Sequence, residues 1–290
     1  MFNLKKILFP VDFSERSKGA AHFVEALAGR FDAELTLLHV VESADYLYGT
    51  LEFGGTAFTD YRVERLEKSR AQLDAWLADE MRYFNVRRVL AEGDPARKII
   101  EAAHGEKFDL IAMPSHGFGP FRRFIIGSVT AKVLHDAHIP VWTGVHMEQA
   151  PPLEAITCNE ILCAVDLGPQ SEHALNWAAG LAKEYEAGLA VVHATPCVEA
   201  SPARHVDTEL ASAFLEKARQ ELTKLLAASR VKAEIVVEAG DPAAVVRYAA
   251  EQREADMLVI ARGSAAGGFG RLRTHAYSII RQSPCPVVSV

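Results

Sequence analysis

The segment ILFPVD at residues 7–12 begins a pattern that the chain repeats in its second half. It recurs as ILCAVD at residues 161–166, and LLHV at residues 37–40 recurs as VVHA at residues 191–194. Three later segments return in the same order: EGDPA as AGDPA, FDLIA as ADMLV, and IPV as CPV. These ordered matches indicate one fold built twice, because a single continuous α/β domain would leave the repeat unexplained.

The spacing of the repeats sets the expected domain boundaries. The first two matches are 154 residues apart, whereas the EGDPA and FDLIA matches are 147 residues apart. The first copy therefore carries an insert, which we place within residues 46–58. We predict a first domain at residues 1–146, a linker that contains two adjacent prolines at residues 147–157, and a second domain at residues 158–290.

Short apolar runs alternate with longer amphipathic stretches, which is typical of α/β domains. In the first copy the pattern predicts strands near residues 4–11, 34–41, 86–91, 108–113 and 140–145, and helices near residues 14–30, 60–83, 95–104 and 128–137. The helix at residues 60–83 is expected to place four apolar side chains near one face, namely Val63, Leu66, Leu73 and Leu77. Uninterrupted apolar strands indicate a sheet covered on both faces. Each copy is therefore predicted to be a doubly wound, Rossmann-like domain with a five-stranded parallel sheet flanked by helices.

The composition argues against several classes of function. The net charge is −7 and the basic residues are scattered, which argues against nucleic-acid binding. No apolar run approaches the roughly 20 residues of a membrane helix, and the N-terminus lacks the apolar core of a signal peptide. No CxxC pair occurs among the cysteines, which are Cys158, Cys163, Cys197 and Cys285. We expect a cytoplasmic protein with reduced, mostly buried thiols.

Two features fall where a doubly wound sheet binds ligands, beyond the carboxyl ends of its strands. Asp12 follows the first strand, and a glycine-containing segment at residues 113–128 joins the fourth strand to a helix. At the start of that helix, the N–H groups of Gly127 through Val129 would lack intrahelical partners and favour an anion. Arg122 and Arg123 lie in the same segment. The alternatives are that the glycines serve only as turn residues and that Asp12 only caps a helix, although Ser14 already suits the cap.

The sequence identifies no convincing catalytic residue and no metal site formed by protein ligands alone. There is no Walker motif in a convincing context, no paired-carboxylate site and no Ser-His-Asp order. His39 and His193 occupy equivalent strand positions, which favours structural roles. His135, His138 and His146 are close in sequence, but they fall on a predicted helix and a predicted strand and should point in different directions, which argues against a shared metal ion. Any ATP hydrolysis is therefore expected to be slow.

Across both halves the chain resembles the universal stress protein family in its two-domain form. The resemblance rests on PVDFS at residues 10–14, LHVV at residues 38–41, GDP at residues 93–95, and SHG at residues 115–117 followed by GS at residues 127–128. The family's nucleotide signature is a glycine, two residues, a glycine, nine residues, and then glycine followed by serine or threonine. Gly117, Gly127 and Ser128 fill its last positions, whereas Pro114 stands at the first.

The resemblance implies that the first domain binds an adenine nucleotide, either ATP, with magnesium accompanying it, or AMP or ADP. By similarity, adenosine would contact Asp12 and either Val40 or Val41. The phosphates would lie on the loop and helix start that carry Pro114, His116, Gly117, Gly127, Ser128 and Val129. The protein would then act in stress response through nucleotide-dependent conformation or through a protein partner that the sequence does not identify.

Two alternatives stay open. Proline removes an N–H and fixes φ, so Pro114 supports a nucleotide-free scaffold of the same fold. A slow ATPase is the other alternative, and it rests on fold analogy alone.

The second half departs further from the signature. Asp166 remains, but Arg273-Thr274 replaces Gly127-Ser128, so we expect its site to be weak or empty.

The fifth strands are apolar and would leave open sheet edges. In the family these strands pair between subunits, so an internal pseudo-dimer of the two halves is expected here. A homodimer is left open by the sequence.

Overall fold

A computed structural model of the chain describes residues 2–42, 56–115, 126–145, 147–197, 206–262 and 274–290. Strands and helices alternate in the first half: β1 (Lys6–Pro10), α1 (Glu15–Phe31), β2 (Glu34–Val41), α2 (Thr56–Ala75), β3 (Val86–Glu92), α3 (Pro95–Gly105), β4 (Leu110–Pro114), α4 (Ser128–Asp136) and β5 (Val141–Gly144). The second half repeats the order: β6 (Glu160–Ala164), α5 (Ser171–Tyr185), β7 (Gly188–Thr195), α6 (Val206–Ser229), β8 (Glu234–Ala239), α7 (Pro242–Gln252), β9 (Met257–Ile260), α8 (Thr274–Gln282) and β10 (Val287–Ser289). Within these ranges, none of the helices combines the length and apolarity needed to cross a membrane.

The chain divides into two compact units. The N-terminal unit contains Asn3–Val141 and His146–Ile156, and the C-terminal unit contains Met1–Phe2, Trp142–Val145 and Thr157–Val290. Most of β5 therefore groups with the second half, where the buried Thr143 Oγ1 donates a hydrogen bond to Val287 O (3.1 Å).

Each unit is built on a parallel sheet. In the N-terminal unit the strand order is β3-β2-β1-β4, with parallel pairing of β1 to β2, β1 to β4 and β2 to β3. In the C-terminal unit β8, β7, β6, β9 and β10 lie in the corresponding order, again with parallel pairs. Strand β4 is buried along its whole length, as expected for a sheet with helices on both faces. The doubly wound α/β fold, present twice, is confirmed.

The repeated GDP segment owes its form to local backbone chemistry. Gly93 and Gly240 have φ of 139° and 154°, in a region that side chains disfavour. The aspartate that follows each glycine caps a helix: the side chain of Asp94 accepts from Arg97 N (2.9 Å), and that of Asp241 accepts from Ala244 N (3.0 Å). A proline then begins each helix, where a missing N–H costs nothing.

Helix α2 differs from its prediction at residues 60–83. It ends at Ala75, because Leu77 takes a left-handed conformation with φ of 48° and turns follow it. Leu73 is fully buried as predicted, whereas Val63 is 49% exposed. The apolar face that was expected to carry both residues is therefore narrower than the sequence indicated.

The segment predicted as a linker packs against α1. It contains two short 3-10 turns, Met147–Gln149 and Leu153–Ala155. Arg16 Nε lies 2.5 Å from Glu148 Oε1, and His22 Nδ1 lies 2.8 Å from Pro151 O. Both contacts fall inside the N-terminal unit, so the segment is an ordered part of that unit.

The cysteines carry no disulfide. Cys158, Cys163 and Cys285 are buried and Cys197 is exposed. Burial raises the pKa of Cys158 and Cys163 to about 12, and that of Cys285 to about 11. These three thiols are therefore protonated and unreactive near neutral pH.

Glu25 in α1 offers a test of stability against pH. It is 4% exposed, and its Oε1 accepts no hydrogen bond in the described part of the chain. Burial raises the pKa of this carboxyl above its ordinary value of 4.5, and the charge of Glu80 adds to the shift while His22 opposes it. Above the folded-state pKa the ionised carboxyl thus destabilises the fold. We expect Glu25→Gln to stabilise the protein at pH 7 by about 1 kcal/mol, measured as a rise in Tm.

The gain from Glu25→Gln should disappear as the pH falls below about 4.5, where the carboxyl is protonated in both the folded and the unfolded state. Glu15→Gln, at an exposed position of the same helix, is the control and should not raise Tm. A gain that is the same at pH 7 and pH 4 would contradict ionisation as its cause.

Candidate functional site

A cavity of about 500 Å³ opens at the carboxyl ends of β1, β2 and β4 in the N-terminal unit. This volume lies in the roughly 300–1,000 Å³ range of small-molecule sites. The cavity brings together seven of the residues predicted from the sequence: Asp12, Val40, Val41, Pro114, Gly127, Ser128 and Val129. His116 and Gly117, together with Arg122 and Arg123, lie outside the described residues. The predicted site is thus one continuous cavity in its described part.

Asp12 is held by a small network of hydroxyl groups. Its Oδ1 accepts from Ser14 N (3.0 Å), Ser14 Oγ (2.6 Å) and Ser17 Oγ (2.6 Å). The side chain of Ser14 caps α1 as predicted and accepts from Ser17 N (3.2 Å). All hydrogen bonds from described residues to this carboxylate go to Oδ1. Asp12 is therefore less free than the sequence suggested, and Oδ2 is the oxygen available to accept from a ligand.

The end of β2 forms a second wall of the cavity. Val40 is half-buried and Val41 is buried, so the wall they form is mainly apolar. His39, beside them, places Nδ1 2.8 Å from Val11 O, and its ring packs on Phe13 with centroids 4.2 Å apart. Burial lowers the pKa of His39, which favours a neutral ring that donates from Nδ1 to the carbonyl. These contacts support a structural role for His39.

The start of α4 supplies hydrogen-bond donors at the opposite end of the cavity. Gly127 is the N-cap, with φ of −59° and ψ of 147° and no side-chain cap. Its N–H has no partner within the helix, as expected, but it donates to Ser115 O (2.9 Å) in the segment after β4 and is therefore not available to an anion. The available donors without intrahelical partners begin at Ser128 and Val129, as in the first turn of any helix. What Gly127 offers a ligand is therefore open space, because it has no side chain. Its backbone conformation is one that other residues also adopt, and its N–H is already bonded.

Pro114 ends β4 and borders the same helix start. It is buried and lines the cavity, and its carbonyl accepts from Thr130 Oγ1 (3.2 Å). This bond ties the first turn of α4 to β4. A proline here offers a ligand no N–H, but its carbonyl still fixes the helix that carries the donors.

Several cavity-lining residues were not identified from the sequence. They are Ser17, Glu42, Arg65, Ser69 and Thr130. The spacing of Ser14 and Ser17, three residues apart at a helix start, was a local signal that could have revealed the Asp12 network. Arg65 and Ser69 come from α2, and no local motif marks them because their role depends on where that helix packs.

Magnesium fits this site only with help from a ligand. Among the residues that the structure describes, no group of three His, Cys, Asp or Glu side chains could hold a metal ion. Asp12 and Glu42 are the carboxylates that line the cavity. Since Mg²⁺ prefers six oxygen ligands, phosphate oxygens and water would have to supply most of them.

The equivalent corner of the second half keeps part of this arrangement. Asp166 Oδ1 accepts from Gly168 N (2.8 Å) and Ser171 Oγ (3.3 Å), and His193 Nδ1 lies 2.8 Å from Val165 O. Arg273, which carried the expectation of a weak second site, lies outside the described residues. That expectation stays a prediction.

Comparisons with known proteins agree with the repeat and the fold. The sequence model of the universal stress protein family matches twice, at residues 3–143 and 158–290. A universal stress protein of Methanocaldococcus jannaschii is 31% identical over 141 residues, which is 47% of this chain and 79% of that protein. One from Thermus aquaticus is 36% identical over 144 residues, which is 47% of this chain and 96% of that protein.

A solved universal stress protein from Archaeoglobus fulgidus has the same fold over nearly the whole length. It superimposes with a TM-score of 0.72 at 21% identity, and the match covers 99% of this chain and 98% of that chain. Because both halves match the family's sequence model separately, the chain belongs to the universal stress protein family and carries the family's domain twice.

Proposed function

We propose that the first domain binds an adenine nucleotide, ATP in the first instance, and that occupancy changes the surface offered to a protein partner in a stress response. The ribose would contact Asp12, the base would lie against Val40 and Val41, and the phosphates would lie on Gly127, Ser128 and Val129. The observation that carries this proposal is the single cavity lined by all of these residues. A cytoplasmic location is part of the same expectation.

The chemistry of the two cavity ends suits the two ends of a nucleotide. The N–H groups of Ser128 and Val129 and the positive end of the α4 dipole favour phosphate. Gly127 adds no side chain that would obstruct an anion there. At the other end, the valines offer apolar contact to a base, and Asp12 Oδ2 can accept a hydrogen bond from a ribose hydroxyl. This polarity of the cavity supports a nucleotide rather than a wholly apolar ligand.

The side chains of the cavity favour nucleotide binding without rapid hydrolysis. A fast ATPase needs a group that positions and deprotonates water. Oδ1 of Asp12 already accepts hydrogen bonds from two serine side chains, and no described contact pairs a cavity side chain with a group that would orient it toward water. We therefore expect turnover to be slow at most, and we assign no catalytic residue.

A nucleotide-free scaffold is the second candidate, and Pro114 favours it. This residue lines the cavity at the position where the family signature has glycine, and it lacks the N–H that glycine would offer. Calorimetric titration of the intact protein with ATP and Mg²⁺ decides between the two candidates. Saturable heat is expected at about one nucleotide per chain, whereas the absence of heat at millimolar ATP would support the scaffold.

Asp12→Asn tests the ribose contact directly. The change keeps an oxygen for the serine hydroxyls but replaces the other carboxylate oxygen with a donor amide. Hydrogen bonds to charged groups contribute about 1.5–3 kcal/mol, so we expect Kd for ATP to rise by roughly tenfold or more. Asp166→Asn, at the equivalent position of the second half, is the control and should change neither Kd nor stoichiometry.

Analogues of ATP that lack one ribose hydroxyl sharpen this test. If Asp12 accepts from a hydroxyl, the loss from Asp12→Asn and the loss from removing that hydroxyl should not add, because both remove one contact. Additive losses with both the 2′-deoxy and the 3′-deoxy analogue would place the ribose elsewhere.

A further inference from the structure

Arg65 is the cationic side chain among the described residues that line the cavity. It comes from α2, outside the segments that carry the family signature. The other charged side chains in that lining are the carboxylates of Asp12 and Glu42. The proposed phosphate position is already supplied with donors by the start of α4. The positive charge of Arg65 therefore calls for a different role.

An ion pair one turn earlier joins α2 to the end of β3. Arg62 binds Glu92 with both ends of its guanidinium, through Nε to Oε1 (2.8 Å) and Nη2 to Oε2 (2.6 Å). This pair lowers the pKa of Glu92 below its ordinary value, chiefly through the hydrogen bonds from Arg62. Glu92 pairs with Val41 in the register of β3 and β2. The helix is thus held beside the strand end that the base is expected to contact.

Arg65 has its own anchor at that strand end. Its Nη1 donates to Glu42 O (3.0 Å), one residue beyond Val41. Burial lowers the pKa of His39, and the positive charge of Arg65 adds a smaller effect in the same direction. The hydrogen bond to Glu42 O places the guanidinium at the β2 end of the cavity.

We infer that Arg65 stacks its guanidinium on the purine base and so raises the affinity of the first domain for adenine nucleotides. The inference rests on the proposed function. A planar guanidinium held by one N–H at the rim can lie over an aromatic ring, where the negative face of the ring attracts the cation. Val40 and Val41 would then form one side of the base site, and Arg65 the other.

The test compares Arg65→Met with Arg70→Met in calorimetric titrations with AMP, ADP and ATP. Arg70 is a matched control, since it lies on the same helix and its Nη1 also donates to a main-chain carbonyl, that of Arg88 (3.4 Å), without lining the cavity. We expect Arg65→Met to raise Kd by roughly tenfold for all three nucleotides, and Arg70→Met to leave Kd within about twofold of the unaltered protein. Equal Tm values would show that both variants fold.

The three nucleotides separate the base contact from a phosphate contact. A loss that grows from AMP to ATP and shrinks with added salt would place Arg65 on the phosphates and overturn the inference. Equal affinities in the two variants would overturn it as well, while leaving nucleotide binding intact. If the unaltered protein binds none of the three nucleotides, the proposed function fails first, and the role of Arg65 fails with it.

Discussion

Replacing Gly127 with arginine should abolish ATP binding by the first domain. Gly127 lines the cavity directly before the free donors of α4, and it carries no side chain into the space proposed for phosphate. An arginine side chain would fill that space and separate a phosphate from Ser128 and Val129. Each lost hydrogen bond to a charged group costs about 1.5–3 kcal/mol, so losing two should raise Kd by roughly 100-fold or more. The change also imports the second half's own residue, Arg273.

Two further variants isolate the cause of this loss. Gly105→Arg makes the same change at the exposed end of α3, where a side chain would meet nothing within 4 Å, and it should leave Kd unaltered. Gly127→Met adds bulk without charge and should weaken binding to a similar extent. If Gly127→Arg bound ATP with full affinity, the phosphates would not bind at the start of α4. If Gly127→Arg weakened binding and Gly127→Met did not, the charge of the arginine and not its bulk would be the cause.

The fold was accessible from the sequence because its determinants are local or repeated. The two copies of the GDP segment illustrate this point. Gly93 permits a positive φ, Asp94 caps the helix, and Pro95 suits its first position. Each residue acts within a few positions of its neighbours, so the motif predicts the strand-to-helix turn without tertiary information.

The end of α2 was not accessible in the same way. Left-handed residues that end helices are usually glycine or asparagine, but here Leu77 takes that conformation. The chain on both sides of Leu77 is held by packing, since Trp76 and Met81 are both buried and Trp76 lies near Phe9, with ring centroids 6.1 Å apart. Tertiary contacts therefore override a helical pattern that continues in the sequence.

In the candidate site, too, some residues could be predicted from the sequence and others depend on tertiary packing. Asp12 and the helix start at residues 127–129 could be predicted, because they follow strands whose carboxyl ends meet at one edge of a parallel sheet. The hydroxyl of Ser17 on Asp12 and the N–H of Gly127 on Ser115 O could not, because they depend on side-chain rotamers and loop closure. Arg65 reaches the cavity only because α2 packs over β2 and β3, and no pattern within α2 encodes that placement.

A large loss of stability is expected from Gly19→Ala. Gly19 is buried in α1, where the helix meets the turn at residues 147–149. A Cβ at this position would stand 1.7 Å from Met147 O and 3.1 Å from the Ala150 side chain. The obstacle is main chain, so no change of rotamer can relieve it, and the segment that carries the Arg16–Glu148 ion pair must move. Overpacking costs about 1–3 kcal/mol and occasionally more, and an approach of 1.7 Å to main chain places the cost at the upper end, above the roughly 1 kcal/mol that alanine gains over glycine inside a helix.

Gly29→Ala on the same helix gives the comparison that decides the cause. Its Cβ would meet the Phe84 ring at 3.5 Å, an ordinary van der Waals distance, so the helix propensity of alanine should dominate and Tm should stay level or rise. Thermal unfolding followed by circular dichroism should therefore move in opposite directions for the two variants. If both variants were equally stable, the segment after β5 would not be packed on α1 in solution. The region predicted as a linker would then act only as a tether, instead of forming part of the N-terminal unit as its contacts with Arg16 and His22 indicate.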